Sequence, residues 1–152
     1  MLFIISLSFC ACANGTSYEK NYEFELVKSG NLDAQYNDAM NFLNGDEGFP
    51  KDYGKAKEWF ELASNQGDSS AQNTLGIMYL NGFGVDKSID KSEYYYRLAA
   101  IQDHENAQLQ LALILLNKEN NLKEAIYWLE KASSHGNVEA QEKLIKLKPK
   151  SY

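Results

Sequence analysis

Cysteine is nearly missing from this sequence: there are two, Cys10 and Cys12, both within the first dozen residues. The body that follows therefore has no disulfide framework and no cysteine-based metal site. Proline is as scarce, with two in 152 residues, so helices can run without the breaks that proline imposes. Two histidines leave few candidates for imidazole catalysis or metal ligation. A basic excess is absent too. The formal net charge is −6, and no stripe of Lys and Arg is present to neutralise phosphates, which excludes nucleic acid as the expected partner. Lys143, Lys146, Lys148 and Lys150 do gather near the end. Cations there complement the dipole of a terminal helix. No apolar run reaches the roughly 20 residues that a membrane-spanning helix needs. The length fits one domain, and a 44% hydrophobic content suffices for a core.

What is present begins with MLFIISLSFCACA, residues 1–13, uncharged and almost wholly apolar. Its length is that of a signal-peptide apolar core, although no Lys or Arg precedes it. Ala11-Cys12-Ala13 has the A-x-A form that a signal peptidase accepts. Cys12, preceded by Ala11, alternatively resembles the lipidated cysteine of a bacterial lipoprotein. Export to the periplasm, the outer membrane or the medium is the expectation, with membrane anchoring only through such a lipid. Without a working signal the chain would stay in the cytoplasm. Asn14-Gly15-Thr16 is a formal glycosylation sequon, meaningful only in a suitable host.

The dipeptide Ala-Gln recurs at 34–35, 71–72, 107–108 and 140–141. A period near three dozen amino acids predicts a helical solenoid. Four residues before each Ala stand Gly30, Gly67, Asp103 and Gly136, and three before stand Asn31, Asp68, His104 and Asn137. Glycine ends a helix in a left-handed conformation, and Asn or Asp caps the next one. Two helical faces follow in each unit. Ala71, Leu75, Met78 and Tyr79 share the first in the second unit. The second helices carry Ala56, Trp59, Phe60 and Ala63; then Ser92, Tyr95, Tyr96 and Ala99; then Ala125, Trp128, Leu129 and Ala132.

The stretch AQNTLGIMYLNGFGVDKSIDKSEYYYRLAA resembles the Sel-one-like repeat (SLR), a relative of the tetratricopeptide repeat. The resemblance lies in Ala71, Leu75-Gly76, Tyr79, Gly82, Gly84-Val85, Lys91, Tyr95-Tyr96 and Ala99-Ala100. The first unit matches in KAKEWFELASNQG, with Asp38 where the motif has Leu. The third keeps EAIYWLEKASSHG but has Leu111-Ala112 for Leu-Gly. The resemblance implies an all-α solenoid of three hairpins, at 34–70, 71–106 and 107–139. Half-repeat caps would flank them at 17–33 and 140–152.

Gly82 and Gly84 in NGFGV could open a phosphate-cradling loop, but such a loop follows a strand, and none is predicted. They read instead as the hairpin connection. Neither G-x-S-x-G nor H-E-x-x-H occurs. Asp103-His104-Glu105 diverge around a helix start, where His104 takes a capping place. No pair of carboxylates can be nominated for glycoside chemistry. No enzyme, metal or cofactor is expected. A hydrolase acting on cell-wall material is the least favoured reading.

A binding face is the remaining candidate. Counted from the Ala, positions +2, +6 and +9 of each first helix fall on the side opposite the core positions +4 and +7, given 3.6 residues per turn. They hold Tyr36, Met40 and Leu43; Asn73, Ile77 and Leu80; Leu109, Leu113 and Leu116. In tetratricopeptide-like solenoids that face lines the concave groove. An apolar strip there would take another protein or peptide. Burial between units is the competing reading, especially for the +9 leucines. Asn44, Asn81 and Asn117, at +10, could bond a peptide backbone or simply end the helix. The resemblance also implies a narrower role: some small periplasmic members are immunity proteins that neutralise secreted antibacterial effectors such as lipases.

Overall fold

The computed structural model describes residues 30–45, 49–118 and 121–147. These form seven helices and no strand: α1 (Leu32–Asn44), α2 (Tyr53–Asn65), α3 (Ser69–Asn81), α4 (Ile89–Ala100), α5 (Glu105–Leu116), α6 (Leu122–Ser134) and α7 (Val138–Leu147). The apolar leader, Cys12, the sequon and most of the N-terminal capping segment lie outside the described residues. So do the last five residues of the C-terminal cap.

The junctions form as their residues dictate. Asn31, Asp68, His104 and Asn137 each accept the backbone N–H three residues ahead, of Ala34, Ala71, Ala107 and Ala140. Before the caps, Gly30, Gly67 and Gly136 stand at positive φ, and Asp103 takes the same left-handed turn at φ 61°. For a residue with a Cβ that conformation is uncommon, and Asp is among the few that tolerate it.

Each helix packs on the next, α1 on α2 through α6 on α7, and the first helices α3 and α5 also touch. The apolar core divides into two clusters. One joins Ala39 and Phe42 of α1, Ala56, Trp59, Phe60 and Ala63 of α2, and Leu75 and Met78 of α3. The other runs from Tyr96 of α4 through Leu111, Leu115, Trp128 and Leu129 to Ala140 and Leu144 of α7. Unit two therefore straddles the division. Its helices meet partly through backbone: a Cβ on Gly76 would lie 2.7 Å from ring carbons of Tyr96, Ser92 Oγ donates to the Gly76 carbonyl at 2.9 Å, and beside them the Tyr79 and Tyr95 rings stack.

The repeated glutamine joins the units. Gln72 Nε2 donates to the Ser64 carbonyl at the end of α2, while its Oε1 accepts from Gln102 Nε2 at 2.7 Å. Gln108 repeats this with the Ala100 carbonyl and His135 Nδ1, and Gln35 accepts from Gln66. Gln35, Gln72 and Gln108 are buried. Buried carboxamides that find partners on both sides fix the spacing of the helices they join. The periodicity marks these residues, but this role emerges only in three dimensions.

The hairpin-loop glycines also act structurally. Gly82 caps α3 in a left-handed turn, its N–H on the Met78 carbonyl. A Cβ on Gly84, at φ 67°, would lie 2.3 Å from Cβ of Tyr53, whose ring stacks on Phe83.

Candidate protein-binding face

The face expected on the first helices is assembled from α1, α3 and α5, but it is unevenly exposed. Ile77 reaches solvent at 36%. Tyr36, Met40 and Leu113 are half-buried, as are the +9 residues Leu43, Leu80 and Leu116. Each of these leans on a core cluster; Tyr36, for example, packs its ring 5.6 Å from that of Phe60. Leu109 corrects the expectation of an open face. It is 5% exposed, inside the second core cluster. The helix angle places Leu109 opposite its own partner helix, but neighbouring first helices pack side by side, and the angle takes no account of them.

The three asparagines at +10 sit exposed at the helix ends. Asn81 Nδ2 donates to the Ile77 carbonyl at 3.0 Å and Asn117 Nδ2 to the Leu113 carbonyl at 3.1 Å. Both use their amide nitrogen on the last turn of their own helix, where carbonyls lack intrahelical donors.

Between α3 and α5 lies an open groove of about 440 Å³, lined by Asn73, Ile77, Leu80, Asn81, Tyr96, Asn106 and Gln110. Four of the seven are carboxamides and none is charged. Asn73 Oδ1 is buried and has no hydrogen-bond partner. Burial pushes the Tyr96 phenol up to about 12, so it is a neutral group at physiological pH. Sequence reasoning missed Asn106 and Gln110. They lie toward the flank of α5 facing the preceding unit, which matters only once that unit's position is known.

The charges gather elsewhere. Arg97 of α4 bonds Glu93 at 3.0 Å and also Glu124 of α6. Lys118 bonds Glu93 at 2.6 Å and Asp90 at 3.2 Å. Burial pushes the Glu93 carboxyl up, but hydrogen bonds from Lys118 and Arg97 outweigh it, and the group lies below the ordinary carboxylate value. The hydrogen bond from Arg97 likewise holds Glu124 low. Glu124 is thus part of an ionic network across units, and also accepts from Trp128 Nε1. By sequence position alone it reads as a freely solvated carboxylate. His104 and His135 both serve helix junctions. Among the described residues no group of three or more His, Cys, Asp or Glu side chains could hold a metal ion. No helix among them is long and apolar enough to cross a membrane.

Known proteins share this architecture. The crystal structure of a Sel1 repeat protein from Oxalobacter formigenes superposes with a TM-score of 0.72 at 31% identity, covering 84% of this chain and 98% of that one. The structure of c5321, described as a protective antigen present in uropathogenic Escherichia coli strains, superposes at 0.73 with 26% identity, covering 87% of this chain and 30% of that one. In sequence, the chain is 30% identical over 122 residues to the Sel1-repeat-containing protein YjcO of Escherichia coli, covering 74% of this chain and 53% of that protein. It is 40% identical over 103 residues to the ERAD-associated E3 ubiquitin-protein ligase component HRD3B of Arabidopsis thaliana, covering 64% of this chain and 16% of that protein. Chitin synthase regulatory factor 3 of Schizosaccharomyces pombe is 30% identical over 104 residues, 66% of this chain and 11% of that protein. The chain thus spans from about a tenth to about half the length of these curated relatives. The Sel1 repeat itself matches at residues 32–68, 69–104 and 106–137, one match to each helix hairpin. With its three hairpins matched in register, the chain belongs to the Sel1 repeat family.

Proposed function

We propose that this chain is a non-catalytic, exported binding module that takes a polypeptide partner on the face formed by α1, α3 and α5. The observation carrying this is the open groove beside Ile77. Exposed apolar surface sits there among neutral amides, on the flank where the first helices of units two and three meet. The family relationship supports the same reading. Two relatives are named as a regulatory factor and as a ligase component, which are roles exercised alongside other proteins. Export rests on the apolar leader of residues 1–13.

The test replaces Met40, Ile77 and Leu113 with Ser in one chain and compares affinity capture from the native host with the unaltered protein. Partner capture is expected to disappear while the helical circular dichroism is retained. Unchanged capture refutes the face as the site. Turnover of cell-wall material by the purified protein alone would refute the non-catalytic reading. Fractionation tests export: the mature protein should lack residues 1–13 or carry a lipid on Cys12.

A further inference from the structure

Of the four side chains that cap the first helices and α7, only His104 belongs to a residue type that takes up a proton near neutrality. Asn31, Asp68 and Asn137 accept the N–H three residues ahead at 3.1, 2.7 and 3.0 Å. At the start of α5 the acceptor is His104 Nδ1, 3.4 Å from Ala107 N. A neutral imidazole has one nitrogen free to accept, whereas an imidazolium has two N–H donors and no acceptor. Asn does not ionise, and an Asp carboxylate stays charged down to about pH 4. Histidine changes between about pH 5 and 8. Mild acid therefore removes the acceptor at α5 and leaves the other three in place. It also sets a positive charge at a helix N-terminus, where the dipole opposes it.

The charged and titratable groups around this junction are Asp103, Glu105, Lys131 and His135. Asp103 and Glu105 flank the ring and attract an imidazolium, but both are exposed and screened by solvent. Asp103 also accepts from Gln108 Nε2 at 3.3 Å and pairs with Lys131 at 3.6 Å. Neither carboxylate returns an acceptor to the Ala107 N–H. His135 reaches the junction through Gln108, with Nδ1 3.2 Å from Gln108 Oε1. There the ring is the donor. An imidazolium keeps that N–H, and at the end of α6 its charge suits the dipole. The two histidines thus answer acid in opposite ways.

We propose that His104 is a proton-sensitive cap that releases the first turn of α5 as pH falls from about 7.5 to about 5.5. The contribution of the cap is present while the ring is neutral and is lost as pH falls through the imidazole range. Asn106 in that turn and Gln110 in the next line the groove between α3 and α5, so the α5 wall of the groove loosens with the cap.

The experiment measures amide hydrogen exchange by NMR on the full chain at the two pH values, for the unaltered protein, His104→Asn and His135→Gln. Rates are divided by intrinsic rates, so that the chemistry of exchange cancels. Protection at Ala107 and Gln108 is expected to fall about three- to tenfold on acidification of the unaltered protein. Protection at Ala71 and Ala140, which have Asp and Asn caps, should hold. His104→Asn installs the cap that α1 and α7 already use, so it should fold and should abolish the fall, whereas His135→Gln should keep it. Melting temperature should drop about 2–4 °C more in the unaltered protein than in His104→Asn. An equal fall in His104→Asn overturns the proposal. So does a fall that disappears with His135→Gln, or protection that rises on acidification, which would mean that Asp103 and Glu105 outweigh the lost acceptor.

Discussion

Units two and three share a sequence period but close their hairpins differently. In unit three, α5 and α6 feed one apolar cluster, with Leu111, Ala112 and Leu115 against Trp128 and Leu129. In unit two the fully buried residues of the two helices fall in different clusters, and the seam holds Gly76 backbone against the Tyr96 ring and the Ser92 hydroxyl, beside the stacked rings of Tyr79 and Tyr95. The position five residues after each first Ala is Ala39, Gly76 or Ala112, and the equivalent second-helix positions hold Phe60, Tyr96 and Leu129. In unit two the smallest residue meets a tyrosine, and the ring occupies the space a Cβ would take. Close packing permits such exchanges only when the combined volume is kept.

Breaking that compensation gives the largest expected effect. Gly76→Ala gains helix propensity, yet its Cβ would strike a ring that is 1% exposed and has little room to move. It should destabilise the protein by about 1–3 kcal/mol in urea unfolding. Adding Tyr96→Leu, which copies the pairing of unit three, should recover most of that loss. Additive losses would show that the two residues do not share a seam.

The glutamine links sharpen the comparison at smaller scale. Gln72→Leu removes the donor to the Ser64 carbonyl and the acceptor for Gln102 Nε2 together, so about 1–2 kcal/mol should be lost. His135→Gln converts the link in unit three to the type found in units one and two. It should change stability by less than about 0.5 kcal/mol. A large change would mean that the imidazole does more than donate to Gln108.

The smallest effect concerns the charges that join the two units. The folded pKa of Glu93 lies below its unfolded value, so its contribution is fully present above the ordinary carboxylate range. That contribution is lost as pH falls through the folded value. Melting temperature should therefore drop on acidification below about pH 4.5. Glu93→Gln should melt slightly lower at neutral pH and show a shallower acid drop. Equal slopes would assign the acid sensitivity to other carboxylates.

Much of this was legible in advance because the signals are local. Gly67 followed by Asp68 stops one helix and starts the next, and Trp59-Phe60 set three residues after Ala56 marks a buried stripe at helical spacing. These are events within a few residues of chain. The exposure of the candidate face was less legible. Leu109, Asn73 and Tyr36 hold equivalent positions, yet Leu109 is buried, Asn73 carries an unpartnered buried oxygen, and Tyr36 rests on Phe60. Tyr36 is covered by the second helix of its own unit, whereas Asn73 lines the groove between units two and three.

The amino-acid order by itself determined that helices of about three turns would pair and stack, because periodicity, caps and glycines act over one or two turns of chain. Only the tertiary structure decided which equivalent side chains were swallowed between units and which, like Ile77, stayed open. It also decided that the repeated glutamines would hold adjacent units together. Burial and hydrogen-bond pairing across units are set by neighbours a whole repeat away, and their distance and orientation exist only after the stack has formed.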